Sequence, residues 1–439
     1  MPSRKETRSL TKFMPSLEFF APCPRGLEAV FADELREIAL QTPLTVGAIA
    51  PGGVYFTGAS AAAMAVNLHS RIASRVLLKI ARQSYHNEND IFAFTFEQPW
   101  EDWFTAQQTL RVDLTALKTA NLRNSGFAAL RVKDAICDRL RNTTGARPNI
   151  DTLTPDVRVF AFLDATHCTL YLDTTGEALF KRGWRLAKGA APLRENLAAG
   201  ILRLSGWTPA VPLYDPMCGS GTFVIEAAQI ALGLAPGGER HFAFEKLKSY
   251  DLSAWPAFKA AALEARDAAR RMPRELNIFG SDISGDMLVK AQANLERAGL
   301  RNLWLKQVDA RVMAAPTETP GILIANPPYG ERVDVRGSAS RARSQERGTY
   351  TQHAQRGEFF HREQTDEAHE DFFRALGDAL KQRFTGWQAF VLTSDRSLPG
   401  QMRLCAAKRT PLFNGPIECR LFRFDLVKGS LRESRSNKE

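Results

Sequence analysis

The stretch PLYDPMCGSGTFVIEAAQIALG, residues 212 to 233, passes from a short apolar strand through a glycine turn into a helix. Gly219 and Gly221 permit a sharp turn and close approach of the backbone to a ligand, and the helix opening at Thr222 offers free N–H groups. No third glycine completes a G-x-G-x-x-G fingerprint and no Gly-Lys-Ser/Thr follows, so neither a dinucleotide loop nor a triphosphate loop is present. The turn suits a nucleotide-like ligand. Taken alone, it is equally a tight strand-to-helix connection.

The surroundings of the turn favour the ligand. A helix precedes it (194 to 206), and strands at 277–282 and 303–309 follow, separated by a helix at 286–299. Strand and helix alternating in this way predict right-handed crossovers and a mostly parallel sheet with helices on both faces, a Rossmann-like α/β domain. Asp215, Asp282 and Asp309 each end a strand reading, and the carboxyl edge of such a sheet is where ligands bind. Asp282 can accept both hydroxyls of a ribose, and Asp309 can accept from an adenine amino group. Asp282 lies far beyond the roughly 20 residues that usually separate glycine loop and acid. Residues 233 to 277 therefore read as an insertion, built around a helix at 256 to 271. Any one of these aspartates, considered singly, is better explained as a solvated strand end or helix cap.

A fourth apolar run, GILIA, ends in ANPPYGER, residues 325 to 332. Asn326 falls at the same sheet edge, and Pro327 and Pro328 remove two N–H groups while stiffening the turn. What remains is rich in acceptors and poor in donors. The Asn326 amide oxygen and the Pro327 carbonyl could take both N–H bonds of an exocyclic amine, align its nitrogen with an electrophilic methyl and favour the positive charge that develops there. Tyr329 offers a face on which an extruded base can stack. A rigid turn after a buried strand is the plain alternative for Asn-Pro-Pro alone.

The remainder of the chain bounds the setting. Its 439 residues suit two or three domains, and no apolar run approaches the roughly 20 residues of a membrane span. Six cysteines without a CxxC pair suggest neither a disulfide framework nor a thiolate metal site, and a reducing cytoplasm fits. A net charge of +10 favours a polyanionic partner. Strand, helix, strand and helix over 17–73 suggest a small α+β unit, and short strands around a helix at 127–140 continue to residue 180. Gly, Pro and basic residues at 181–192 mark the boundary to the α/β half. Residues 111–147 hold eight Lys or Arg against three Asp, interleaved with Phe127, as a phosphate-binding face or a solvated helix would. Residues 334–370 are polar, with five arginines and one glutamate between Arg336 and Arg356, and read as a mobile insertion or an arm that grasps RNA. His353, His361 and His369 within it lack the spacing of a metal site.

DPMCGSGT, GSD (280–282) and NPPYGER resemble the motifs of S-adenosylmethionine-dependent amino-methyltransferases. With RNSGFAALRVKDAI (123–136) and ARPNID (146–151), the chain from about 17 to 427 resembles the THUMP-containing bacterial 23S rRNA guanine-N2 methyltransferases. The resemblance implies a ferredoxin-like domain over 15–75, a THUMP RNA-binding domain over 76–182 and a class I methyltransferase domain over 190–428, with tails at 1–14 and 429–439. It also implies S-adenosylmethionine as cofactor and 23S rRNA or a large-subunit precursor as partner. Asp215, Pro216, Cys218, Gly219 and Gly221 fall in the implied cofactor loop, Asp282 at the ribose and Asp309 at the adenine. Glu195 matches a further cofactor position. Asn326, Pro327, Pro328 and Tyr329 fall at the target base, and Asn326 is implied at the cofactor as well. Some relatives continue into a second domain that makes N7-methylguanine, which is not expected here; neither a membrane nor a metal is expected as a partner. The nearest alternatives are adenine-N6 methylation of RNA or DNA, which uses the same Asn-Pro-Pro-Tyr logic, and an inactive RNA-binding assembly factor.

Overall fold

The computed structural model describes residues 16–117, 122, 124–185, 193–271, 275–301, 303–327 and 357–427, of which 357–369 are described in backbone only. Two seven-stranded sheets carry the chain. The first comprises β1 (Leu17–Pro22), β2 (Leu44–Ala50), β3 (Gly53–Gly58), β4 (Leu77–Ser84), β5 (Leu110–Ala116), β6 (Val157–Leu163) and β7 (His167–Asp173), in the order β2-β3-β1-β4-β7-β6-β5. Only β5 and β6 are parallel in it. Its helices are α1 (Glu28–Ala39), α2 (Ser60–His69), α3 (Glu88–Glu97), α4 (Trp100–Trp103) and α5 (Ser125–Thr144). The sheet runs without a break across the expected boundary at residues 75 and 76, because β1 pairs with β4 through Phe19↔Leu78 and Phe20↔Leu77. The helix expected over 60–73 stops at His69, where Ser70 turns extended.

The second sheet orders β8 (Leu213–Asp215), β9 (Ile278–Asp282), β10 (Trp304–Gln307), β11 (Ile322–Ala325), β12 (Gln388–Thr393), β13 (Lys408–Asn414) and β14 (Ile417–Asp425) as β10-β9-β8-β11-β12-β14-β13. The first five of these neighbours are parallel, and the β13–β14 hairpin closes the edge antiparallel to β12. Its helices are α6 (Glu195–Leu204), α7 (Thr222–Ala231), α8 (Trp255–Arg271), α9 (Gly285–Arg297), α10 (Gly357–Arg383) and α11 (Leu398–Gln401). The expected inserted helix is α8. Two expectations change. The third strand ends at Gln307 rather than Asp309, and the polar segment 334–370 is helical from Gly357 onward, where Phe372, Phe373, Leu376 and Leu380 give α10 an apolar face on the second core. Residues 328–356, with His353, and both chain ends expected as tails lie outside the described residues; so do the side chains of His361 and His369.

Strand order reverses at β8: β9 and β10 lie to one side, β11 and β12 to the other. A crevice forms where strand order reverses in this way, at the carboxyl ends. The two halves share a core in which Leu27 and Phe31 meet Leu197 and Ile201. Leu27 packs so close to α6 that a Cβ at Gly200 would stand 2.2 Å from its Cδ1. Buried charge crosses the same junction: Glu226 of α7, fully buried, takes Arg71 at 3.2 Å and Arg182 at 3.1 Å.

Candidate active site

β8 delivers Asp215 to the crevice, and the chain then turns through 216–221 before α7 starts. Gly219 and Gly221 have φ of +53° and +88°, and Gly221 is the N-cap of α7. Both positions have room for a Cβ, with nearest contacts at 3.6 and 3.4 Å, so the left-handed backbone is what demands glycine. Three bonds hold the turn against the neighbouring strand and helix. Cys218 N–H donates to the Ser281 carbonyl at 2.8 Å, Gly219 N–H donates to Asp282 Oδ2 at 2.9 Å, and Asn294 Nδ2 donates to the Ser220 carbonyl at 3.0 Å.

Asp282 therefore shapes the loop, accepting from Ser284 N–H at 2.9 Å with its other oxygen. A carboxylate has about four acceptor sites, so these backbone donors do not exhaust it and it retains capacity for a ligand. Burial raises its pKa, and the backbone donors oppose that rise. Asp215 is 2% exposed and, among the described residues, accepts only a 3.2 Å bond from Met217 N–H. Burial pushes it well above the ordinary carboxylate range, and the charge of Asp282 pushes the same way. The buried Cys218 thiol is raised by burial and by both acids. Pro216 lies in the turn between them.

Asn326 follows β11 directly, across the crevice from β8. Its Oδ1 is buried and has no hydrogen-bond partner among the described residues. An amide oxygen desolvated and unmatched costs about 1–3 kcal/mol, and such a group marks a place where something else binds. Pro327 is buried beside it; Pro328 and Tyr329 lie outside the described residues.

Two expected residues sit differently. Asp309 lies past the end of β10, and each of its oxygens receives donors from Arg311, with Nη2 at 2.6 Å and Nε at 3.0 Å. That guanidinium holds its carboxyl below the usual range, and an adenine amino group would have to compete with it. Glu195, in the first turn of α6, is an ion-pair partner of Arg185 at 2.8 Å, and burial raises its pKa against that attraction. Arg185 in turn donates to Thr222 Oγ1 at 2.6 Å, which ties Glu195 to the start of α7. Arg185 was not foreseen. It stands in a Gly- and Pro-rich stretch that reads as linker, and only the buried Trp184 beside it signals otherwise.

A parallel sheet whose strand order reverses at β8, a glycine turn clamped by an acid and, at the neighbouring strand end, an amide oxygen without a partner among the described residues define a class I methyltransferase, a class whose methyl donor is S-adenosylmethionine. The comparisons narrow this class. Family models match for an RMKL-like methyltransferase domain over residues 182–346, a THUMP domain over 85–173 and an RlmL ferredoxin-like domain over 18–77. The protein slr0064 of Synechocystis sp., an RNA methyltransferase by name, is 34% identical over 93% of this chain and 96% of its own. The ribosomal RNA large subunit methyltransferase K/L of Aeromonas hydrophila is 36% identical over 94% of this chain and 55% of its own length. This chain thus spans about half of the K/L relatives it matches. Among solved structures, SMU.472 in complex with SAH has a TM-score of 0.76 at 28% identity, covering 94% of this chain and 99% of its own. A Listeria monocytogenes protein, by name an N6-adenine-specific DNA methylase, has a TM-score of 0.75 at 27% identity, covering 93% and 96%. The chain belongs to the THUMP-containing, RMKL-like methyltransferase family.

Among the described residues, no helix is long and apolar enough to cross a membrane.

Proposed function

We propose that the protein methylates the exocyclic N2 amino group of a guanine in 23S ribosomal RNA or its large-subunit precursor, working in the cytoplasm. The observation that carries this reading is the unpaired, buried Oδ1 of Asn326 at the crevice. The names of the K/L relatives support a ribosomal RNA target. The division into units at 15–75, 76–182 and 190–428 belongs to the same proposal, the first two holding RNA for the third.

S-adenosylmethionine, when bound, supplies an electrophilic methyl on a sulfonium. The residues present fit it: the glycine turn allows close backbone approach, and Asp282 retains acceptor sites for ribose hydroxyls while fixing the turn. Asp215, Pro216 and Cys218 line the turn, and Glu195 braces it through Arg185 and Thr222. Asp309 serves the adenine once Arg311 yields. Asn326 Oδ1 and the Pro327 carbonyl accept the two N–H bonds of the target amine, orienting its nitrogen and stabilising positive charge as it forms. Pro328 stiffens the turn and Tyr329 stacks on the base. No strong base is needed before attack.

A second reading, adenine N6, is favoured by the name of the Listeria neighbour and by the indifference of Asn-Pro-Pro-Tyr to which aromatic amine it holds. Nucleoside mass spectrometry of rRNA from cells with and without the protein separates them. Loss of N2-methylguanine is expected. Loss of N6-methyladenine instead would transfer the assignment, and an unchanged nucleoside profile would reject ribosomal RNA as the substrate.

A further inference from the structure

A cavity of about 490 Å³ opens between residues 177–184, the 238–241 turn, α8 and the C-terminal end of α9. It is separate from the glycine turn. Gln229, on its wall, lies seven residues along α7 from Thr222, about 10 Å at 1.5 Å per residue.

Its charge is unbalanced. Lys181, Arg182, Arg240, Arg266 and Arg297 line it against two carboxylates, Glu177 and Glu239. Glu177 pairs with Lys181, Glu239 with Arg266, and Arg182 with Glu226 behind the wall. That leaves Arg240 and Arg297 with only neutral acceptors among the described residues. Arg240 donates to the carbonyls of Glu177, Ala178 and Leu179, and Arg297 to the Trp184 carbonyl at 2.9 Å and to Asn294 Oδ1. Burial, with the nearby Arg182, lowers the Arg240 pKa to about 10, and it stays cationic at neutral pH.

The same wall carries buried polar atoms without partners among the described residues: Trp184 Nε1, on a side chain 3% exposed, and Gln229 Oε1. One is a donor and the other an acceptor. Every nucleobase presents an acceptor next to a donor on its pairing edge, and a phosphate answers two guanidiniums left without carboxylates.

We propose that this cleft is a second RNA site, taking one nucleotide of a single strand with its phosphate on Arg240 and Arg297 and its base edge on Trp184 and Gln229. The inference rests on the reading of the protein as acting on RNA. The site grips RNA at the junction of the two sheets, away from the crevice where the methyl moves. The volume suits a ligand of nucleotide size.

The test uses the full chain and a 12-nucleotide oligouridylate containing 4-thiouridine. Photocrosslinking followed by peptide mass spectrometry is expected to mark 181–185 or 229–241. Arg297→Gln and Gln229→Leu are each expected to weaken binding by about 3- to 10-fold, and Arg297→Gln alone to reduce the slope of log affinity against log salt by roughly 0.7. The cofactor affinity of Gln229→Leu, measured alongside, should not move. Wild-type protein that modifies rRNA, with no crosslink in either segment and both variants matching it in affinity and salt slope, would overturn the cleft alone. Wild-type protein that neither binds nor modifies RNA would instead bring down the reading on which the cleft rests.

Discussion

Two buried aspartates, one at the end of a strand in each sheet, face opposite circumstances. Asp173 ends β7 at 1% exposure and Asp215 ends β8 at 2%. Burial raises the pKa of both. At Asp173 the rise is opposed by Arg75, whose Nη1 lies 2.5 Å away, and by backbone donors from Thr175 and Gly176. At Asp215 no cation among the described residues opposes it, and the next acid, Asp282, adds to it. The contrast follows from sheet type. Mostly antiparallel strands send their ends to both edges, and Asp173 is settled there with a partner of its own. Parallel strands gather Asp215, Asp282 and Asn326 at one edge, where unsettled groups accumulate and a ligand can settle them.

Breaking the settled side should cost the most in stability. Asp173→Ala leaves the part-buried Arg75 without its carboxylate and should destabilise the fold by about 3 kcal/mol, seen as a lower denaturant midpoint at unchanged slope. A variant as stable as the parent would mean that the pair is not what settles Asp173. On the unsettled side the loss should appear in function. Asn326→Ala should lower turnover by about 100- to 1,000-fold, the scale for losing one preorganised electrostatic contact, while cofactor affinity hardly changes. Asp282→Ala should do the reverse, weakening the cofactor by about 10-fold or more as a charge-assisted contact and the loop clamp are lost together. Calorimetry and turnover measured on both variants distinguish the roles. If each loses only cofactor affinity, Asn326 has no part in holding the target amine.

The same contrast explains what could be read in advance. The unsettled edge was legible because its signals are local: apolar strand, glycines with forced backbone, acid at the strand end, Asn-Pro-Pro after a buried run. Asp215, Gly219, Gly221, Asp282 and Asn326 stand where those patterns put them. Asp309 was misplaced on its strand, since an i,i+2 contact with Arg311 beyond Gln307 leaves no trace in strand periodicity. The fusion of the first sheet was not legible either. It depends on two register pairs between β1 and β4, and a period of two does not say which strand is the neighbour. Arg185, Glu195 and Thr222 meet only through tertiary packing, from a stretch whose composition reads as a connection.

The smallest effect bears on whether Asp215 is unsettled at all. Its folded pKa stands above the unfolded value near 3.9, so between those two values the folded chain keeps a proton that the unfolded chain has lost. Stability must then fall as pH rises through that window, because the native state binds more protons than the unfolded one. Asp215→Asn carries no titrating proton and removes that slope; by taking away a neighbouring charge it also relieves Asp282, whose own raised pKa contributes a slope of the same sign. Without ligand, the variant should gain about 1 kcal/mol on the parent at pH 7, less than the full linkage of about 1.4 kcal/mol per unit of elevation, because the new amide must find acceptors of its own. The gain should vanish below pH 4. Stability curves of parent and variant running parallel from pH 4 to 8 would mean that Asp215 is ionised in the fold and settled by a partner after all, and the distinction between the two aspartates would disappear.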